Sequence, residues 1–166
     1  MDRRLAALGL MLLAGCASVD TPAPSPARVS ELVGPSACHG IHGIAVAPNG
    51  KLLVGSVVGQ AIYEIDLVTG ENHELVGPPN GMADDIAFAP DGTMAWTAFL
   101  LGKVFAQKPG GPVTEVASGM AGANSLAFTK DGRLYFSQVF AGDALYEADV
   151  TGKKPPRKIA EKLGGL

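Results

Sequence analysis

The sequence predicts an all-β fold, about three β-propeller blades of four antiparallel strands each. Three observations carry that prediction. First, a motif recurs: Ile44-Ala-Val-Ala-Pro-Asn-Gly50 returns as Ile86-Ala-Phe-Ala-Pro-Asp-Gly92 and as Leu126-Ala-Phe-Thr-Lys-Asp-Gly132, at offsets of 42 and 40 residues. A period near that length marks a supersecondary unit that buries its faces against copies of itself. Second, every copy ends in Asn-Gly or Asp-Gly between apolar runs, residues that tolerate the positive backbone angles of hairpin turns. Third, the segments between turns alternate: Ile62, Glu64 and Asp66 fall on one side of a strand, and Tyr63, Ile65 and Leu67 on the other. No stretch beyond the N-terminal segment reads as a helix.

The N-terminal segment is read separately. Arg3 and Arg4 precede an apolar run from Leu5 to Leu13, which leads into Leu13-Ala14-Gly15-Cys16. A basic end, a short apolar stretch and small residues are the parts of a secretory signal. The run of about nine residues is too short for a bilayer span, which needs roughly twenty. The cysteine directly after Leu-Ala-Gly resembles the lipobox of bacterial lipoproteins. That resemblance implies a signal peptide over residues 1–15, lipidation at Cys16 and attachment to a membrane. Ala17 and Ser18 stand where an aspartate would favour inner-membrane retention, so the expected location is the outer membrane, facing the periplasm. Residues 16–29, with Pro22, Pro24 and Pro26 among small and polar residues, read as an extended tether.

Removing residues 1–15 takes away Asp2, Arg3 and Arg4 and leaves 11 basic and 15 acidic residues, a formal charge of minus four. A nucleic-acid partner, which needs a basic face, is therefore not expected. With Cys16 acylated, Cys38 is the remaining thiol, and no intrachain disulfide is expected.

Residues 30–166 are the predicted propeller domain. After each turn glycine comes an apolar run (51–55, 93–97, 133–137), then a glycine-marked loop, a third run (61–67, 103–107, 144–150) and a short fourth strand (74–76, 114–117, 157–160). Arg28 to Val33 reads as the fourth strand of a blade whose other strands are missing. Closed propellers contain four to eight blades, so the chain is expected to be C-terminally truncated. The alternative is a half-ring completed by a second copy.

The repeat alignment places His42, Asp84 and Asn124 in one column, immediately before the first strand of each blade, and Gly43, Asp85 and Ser125 in the next. First strands line the channel of a propeller, so a polar column there can converge on a small-molecule ligand or a hard cation through its oxygen atoms. The same side chains could instead cap turns. Trp96, Tyr63, Tyr135 and Phe136 lie inside strand runs and are expected to pack between blades.

The stretch Ala123-Asn124-Ser125-Leu126-Ala127-Phe128, followed by Lys130-Asp131-Gly132-Arg133-Leu134-Tyr135-Phe136, resembles the blade motif of the gluconolactonase, regucalcin and luciferin-regenerating enzyme family. The resemblance covers about residues 30 to 166, and NHL-repeat proteins and streptogramin lyases share parts of it. It implies a six-bladed ring, a divalent cation (calcium or zinc) held at the channel mouth, and metal-assisted opening of lactones. Asn124 matches the family's metal-binding asparagine, and Asp84 or Asp85 could supply an oxygen from the preceding blade. His42 departs from the pattern, standing where the family presents a glutamate, and histidine suits zinc better than calcium.

Cys38, His39 and His42 form a second group with zinc-type ligands, although a partly buried thiol is the simpler reading of Cys38. Two functions follow: a metal-dependent lactone or ester hydrolase when the ring is complete, or a scaffold that binds a small molecule, glycan or envelope protein without chemistry. Ser56, Ala98 and Gln138, at the ends of the second strands, offer no general base, which favours the scaffold for this chain taken alone.

Overall fold

In the computed structural model, residues 27–34 and 38–164 are described. The expected signal, the lipidated Cys16 and most of the tether lie outside the described residues. The chain divides into Met1–Ser30 and a compact unit, Glu31–Leu166. Of the first, residues 27–30 are described and form no regular structure. Among the described residues no helix is long and apolar enough to cross a membrane.

The compact unit holds three sheets of four antiparallel strands, each joined in sequence order. The first contains β1 (Ile41–Val46), β2 (Leu52–Ser56), β3 (Ala61–Ile65) and β4 (Asn72–Val76). The second contains β5 (Asp85–Phe88), β6 (Met94–Ala98), β7 (Lys103–Gln107) and β8 (Val113–Ala117). The third contains β9 (Ala123–Phe128), β10 (Leu134–Gln138), β11 (Ala144–Ala148) and β12 (Arg157–Glu161). The described residues outside these strands include one 3-10 turn, Phe99–Leu101. These are the predicted blades.

Two details differ from the sequence-based expectation. The turns between first and second strands are four-residue turns in which the glycine alone takes a positive φ (82° at Gly50, 83° at Gly92, 82° at Gly132). Asn49, Asp91 and Asp131 are not among the positive-φ residues; Pro48 and Pro90 preset a type I turn in the first two copies, the third has Lys130 at that position, and the following glycine closes each turn. Gly50 N–H donates to Ala47 O at 2.8 Å, and the same bond recurs from Gly92 to Ala89 and from Gly132 to Thr129. The second difference concerns Arg28 to Val33, which form no strand. Each sheet is already paired across its four strands, and this segment has no ladder partner. Val33 instead packs with Cys38 and Leu52 against Val54, Ala61, Tyr63 and Ile65 of the first sheet.

The core lies between sheets. Leu53, Ile62 and Val76 of the first sheet meet Ile86, Met94, Trp96 and Phe105 of the second. One joint further on, Ala95, Val104 and Val116 of the second meet Leu126, Leu134 and Phe136 of the third. Period-two alternation therefore serves two different interfaces, one on each face of a blade. The leading faces of the second and third blades carry a stacked aromatic pair at the same repeat positions. Trp96 and Phe105 have ring centroids 5.6 Å apart, and Phe136 and Tyr146 lie 5.3 Å apart. The first strands β1, β5 and β9 run side by side at the inner end of this stack.

Candidate functional site

The inner strands share a local irregularity that creates the site. Ile41 pairs with Ser56 and Ile44 with Val54, so His42 and Gly43 face Gly55 alone. In the third sheet Ala123 pairs with Gln138 and Leu126 with Phe136, so Asn124 and Ser125 face Ser137 alone. In the second, Asp84 N–H donates to Thr97 O at 2.8 Å and Asp85 is also aligned with Thr97. Two residues against one is a β-bulge, which bends the strand and re-aims the side chains it carries. Both polar columns read from the sequence are thus the two bulge positions of successive blades.

The first column converges. His42 Nδ1 lies 2.9 Å from Asp84 Oδ1, and Asn124 Nδ2 donates to Asp84 Oδ2 at 2.9 Å. Ser125 Oγ donates to Asn124 Oδ1 at 3.2 Å, extending the chain of contacts. The Asp84 side chain is 9% exposed, against 67% for His42, so the group runs from a buried carboxylate to an open imidazole. Burial pushes the Asp84 carboxyl above its usual value; the opposing pull of His42 is smaller, and the adjacent Asp85 charge adds to the rise.

The second column behaves differently. Asp85 Oδ1 accepts Ile86 N–H at 2.9 Å and Oδ2 accepts Leu126 N–H at 2.8 Å, so both oxygens are aimed at backbone amides. Gly43 N–H donates to Ala83 O at 3.4 Å at the preceding joint. Ala83 and Thr97 were not singled out from the sequence. Gly55 was an available signal for this region, since a strand glycine marks a close backbone approach. A Cβ on Gly55 would collide with the Ala83 carbonyl.

The Cys38, His39 and His42 group does not assemble. Cys38 joins the apolar cluster beneath Tyr63, whereas His42 turns to Asp84, and among the described residues no three His, Cys, Asp or Glu side chains gather around a metal-sized space. The strand-end side chains are engaged locally. Ser56 Oγ donates to His39 O at 2.6 Å and accepts Gly59 N–H at 3.1 Å. Gln138 Nε2 donates to Ala121 O at 2.9 Å, and its Oε1 accepts the Tyr146 hydroxyl at 3.2 Å.

As donors for a cation, the first column offers the oxygens of Asp84 and Asn124 and the nitrogens of His42. These types suit a divalent ion. Their number falls short of the four ligands of zinc and the roughly six to eight oxygens of calcium.

Blades of four antiparallel strands, stacked through alternating faces with polar bulges at their inner ends, define a β-propeller protein. Solved structures agree on the fold. A virginiamycin B lyase from Staphylococcus aureus superposes with a TM-score of 0.63 at 19% identity, covering 75% of this chain and 42% of the lyase. A candidate gluconolactonase gives 0.61 at 17% identity, covering 76% of this chain and 52% of that one. A chain of a nidogen/laminin complex gives 0.65 at 19% identity, covering 78% and 51%. The chain therefore spans about half the length of these structures, or less. No family model matches the chain, and no curated protein matches it.

Proposed function

We propose that this chain belongs to a lipid-anchored envelope propeller whose channel mouth, with the ring complete, binds a divalent cation and hydrolyses lactones or related small esters. One observation supports the reading above the others: His42, Asp84 and Asn124, carried by three different sheets, meet in a single hydrogen-bonded group. A buried carboxylate held by two donors from neighbouring blades is a prearranged polar site of the kind that holds a ligand. Asp84, Asn124 and His42 would hold the cation, which when bound would polarise a carbonyl toward attack by water. Asp84 fixes the directions of the other two side chains.

A second reading, a scaffold that binds a small molecule, glycan or envelope protein without chemistry, is favoured by the strand-end positions. Ser56 and Gln138 are occupied by local hydrogen bonds and Ala98 has no polar group, so none stands ready as a base.

The test is lactone hydrolysis by the full-length gene product during a calcium and zinc titration. Metal-stimulated turnover that falls by about tenfold or more in Asn124→Ala and Asp84→Asn supports the hydrolase. Ligand binding without turnover supports the scaffold.

A further inference from the structure

We propose that Asp85 is a positioning residue: it staples the inner strand of the second blade to that of the third and so sets where Asn124 stands relative to Asp84. The inference deepens the site reading above and rests on it for the role of those two residues.

One carboxylate collects the same backbone amide from two successive repeats. Ile86 and Leu126 are equivalent positions of the repeated motif, and Asp85 accepts the N–H of the first at 2.9 Å and of the second at 2.8 Å. Asp85 is itself held by its own N–H, which donates to Thr97 Oγ1 at 3.2 Å. Inner strands of neighbouring blades belong to different sheets, so no backbone ladder joins β5 to β9. A carboxylate can span that gap, and an ionised acceptor makes shorter and stronger bonds than a neutral one.

The joint between the first and second blades lacks this device. Gly43 occupies the equivalent position there, and the contact is the longer bond from Gly43 N–H to Ala83 O at 3.4 Å. Asp84 is the residue before the staple, and Asn124 stands two residues before the amide it holds. Loosening the Leu126 contact therefore frees the short segment that carries Asn124. Asparagine cannot replace the group, because its NH2 would face one of the two N–H donors.

The full chain, labelled with 15N, tests this without any substrate. Wild type is compared with Asp85→Asn, Asp85→Ala and Val104→Ala, the last of which loosens the same joint away from the channel mouth, where Val104 is fully buried. In wild type the Leu126 amide proton is expected downfield of the ordinary amide range. In Asp85→Asn it moves upfield and exchanges about tenfold faster or more, as expected for an amide that has lost its acceptor. The Asn124 side-chain NH2 resonances shift with it, reporting loss of the bond to Asp84. Val104→Ala lowers Tm and leaves those side-chain resonances in place.

A Leu126 amide at an ordinary shift in wild type overturns the proposal with no variant needed, even if both Asp85 variants fail to fold. An Asn124 side chain unmoved in folded Asp85→Asn overturns it as well, leaving Asp85 merely structural. Absence of lactone turnover in the full-length protein would remove the hydrolase reading and leave these resonances unchanged.

Discussion

Lys51 and Asp66 flank the same end of the β2–β3 pairing, next to the Leu52–Ile65 pair, with Nζ donating to Oδ2 at 2.6 Å. The other Asp66 oxygen accepts the amides of Val68 and Thr69 at 2.8 and 3.0 Å, which shapes the turn into β4. The Lys51 hydrogen bond, then the two amides, hold the Asp66 carboxyl well below its ordinary 3.8. Its contribution to stability is therefore fully present above about pH 3.8, the unfolded value, and is lost as pH falls through the lower folded value. Carbon-13 titration of the Asp66 carboxyl should give a midpoint below 3.8. Urea unfolding as a function of pH should show Asp66→Asn removing that acid-side loss. At the channel mouth, Asn124→Ala deletes the donor to Asp84 Oδ2 while sparing the core. Residues that orient ligands typically account for about 10- to 100-fold in affinity or activity. Under the proposed hydrolase reading, lactone turnover of the full-length protein falls by that order, read as kcat/KM.

At the scale of the element, a blade depends on the pair of faces it presents. Trp96 has no exposed surface, stacks on Phe105 and donates its Nε1–H to Asn80 O at 2.7 Å, so it joins β6 to the loop leading out of the first blade. Trp96→Ala removes the ring, leaves a cavity between two sheets and strips the Asn80 carbonyl of its donor. Such truncations cost about 3–5 kcal/mol, measurable as a lower urea midpoint with an unchanged slope. Gly55→Ala is expected to be as damaging for the opposite reason. Its added methyl meets the backbone of Ala83, which cannot rotate away as a side chain would. Far-UV circular dichroism on both variants separates local loss of packing from global unfolding.

For the whole molecule, the blades are mutually dependent. The joint between the first two sheets and the joint between the last two bury large side chains, whereas the inner-strand residues Ile44 and Val46 of the first blade are 62% and 65% exposed. Ile86 and Leu126, the repeat equivalents of Ile44, are buried at 5% and 8% beneath a preceding sheet. Nearest-neighbour coupling of this kind predicts that loosening one joint weakens the adjoining blade. Hydrogen exchange should therefore rise across both the second and third sheets in Val104→Ala. The far-UV spectrum of the full chain should lack a helical double minimum. For the proposed lipid anchor, Cys16→Ser should abolish metabolic lipid labelling, and labelling that survives would remove the anchor from the proposed function.

Periodicity was enough to read the blades from the amino-acid order, because a strand shows its two faces every second residue and a blade its turn about every forty. The equivalent glycines Gly50, Gly92 and Gly132 set the frame. That frame also placed His42, Asp84 and Asn124 in one column, since successive repeats are related by rotation about a common axis. Tertiary structure decided what the column does. Whether Asp84 and Asp85 point into the channel or back to the chain depends on the bulge opposite Thr97 and on the amide of Leu126, forty residues away from Ile86 in the repeat. No local pattern encodes that choice. Arg28 to Val33 carry strand-like residues and form no strand, because a strand exists only through the partner that pairs with it, and pairing belongs to the assembled fold.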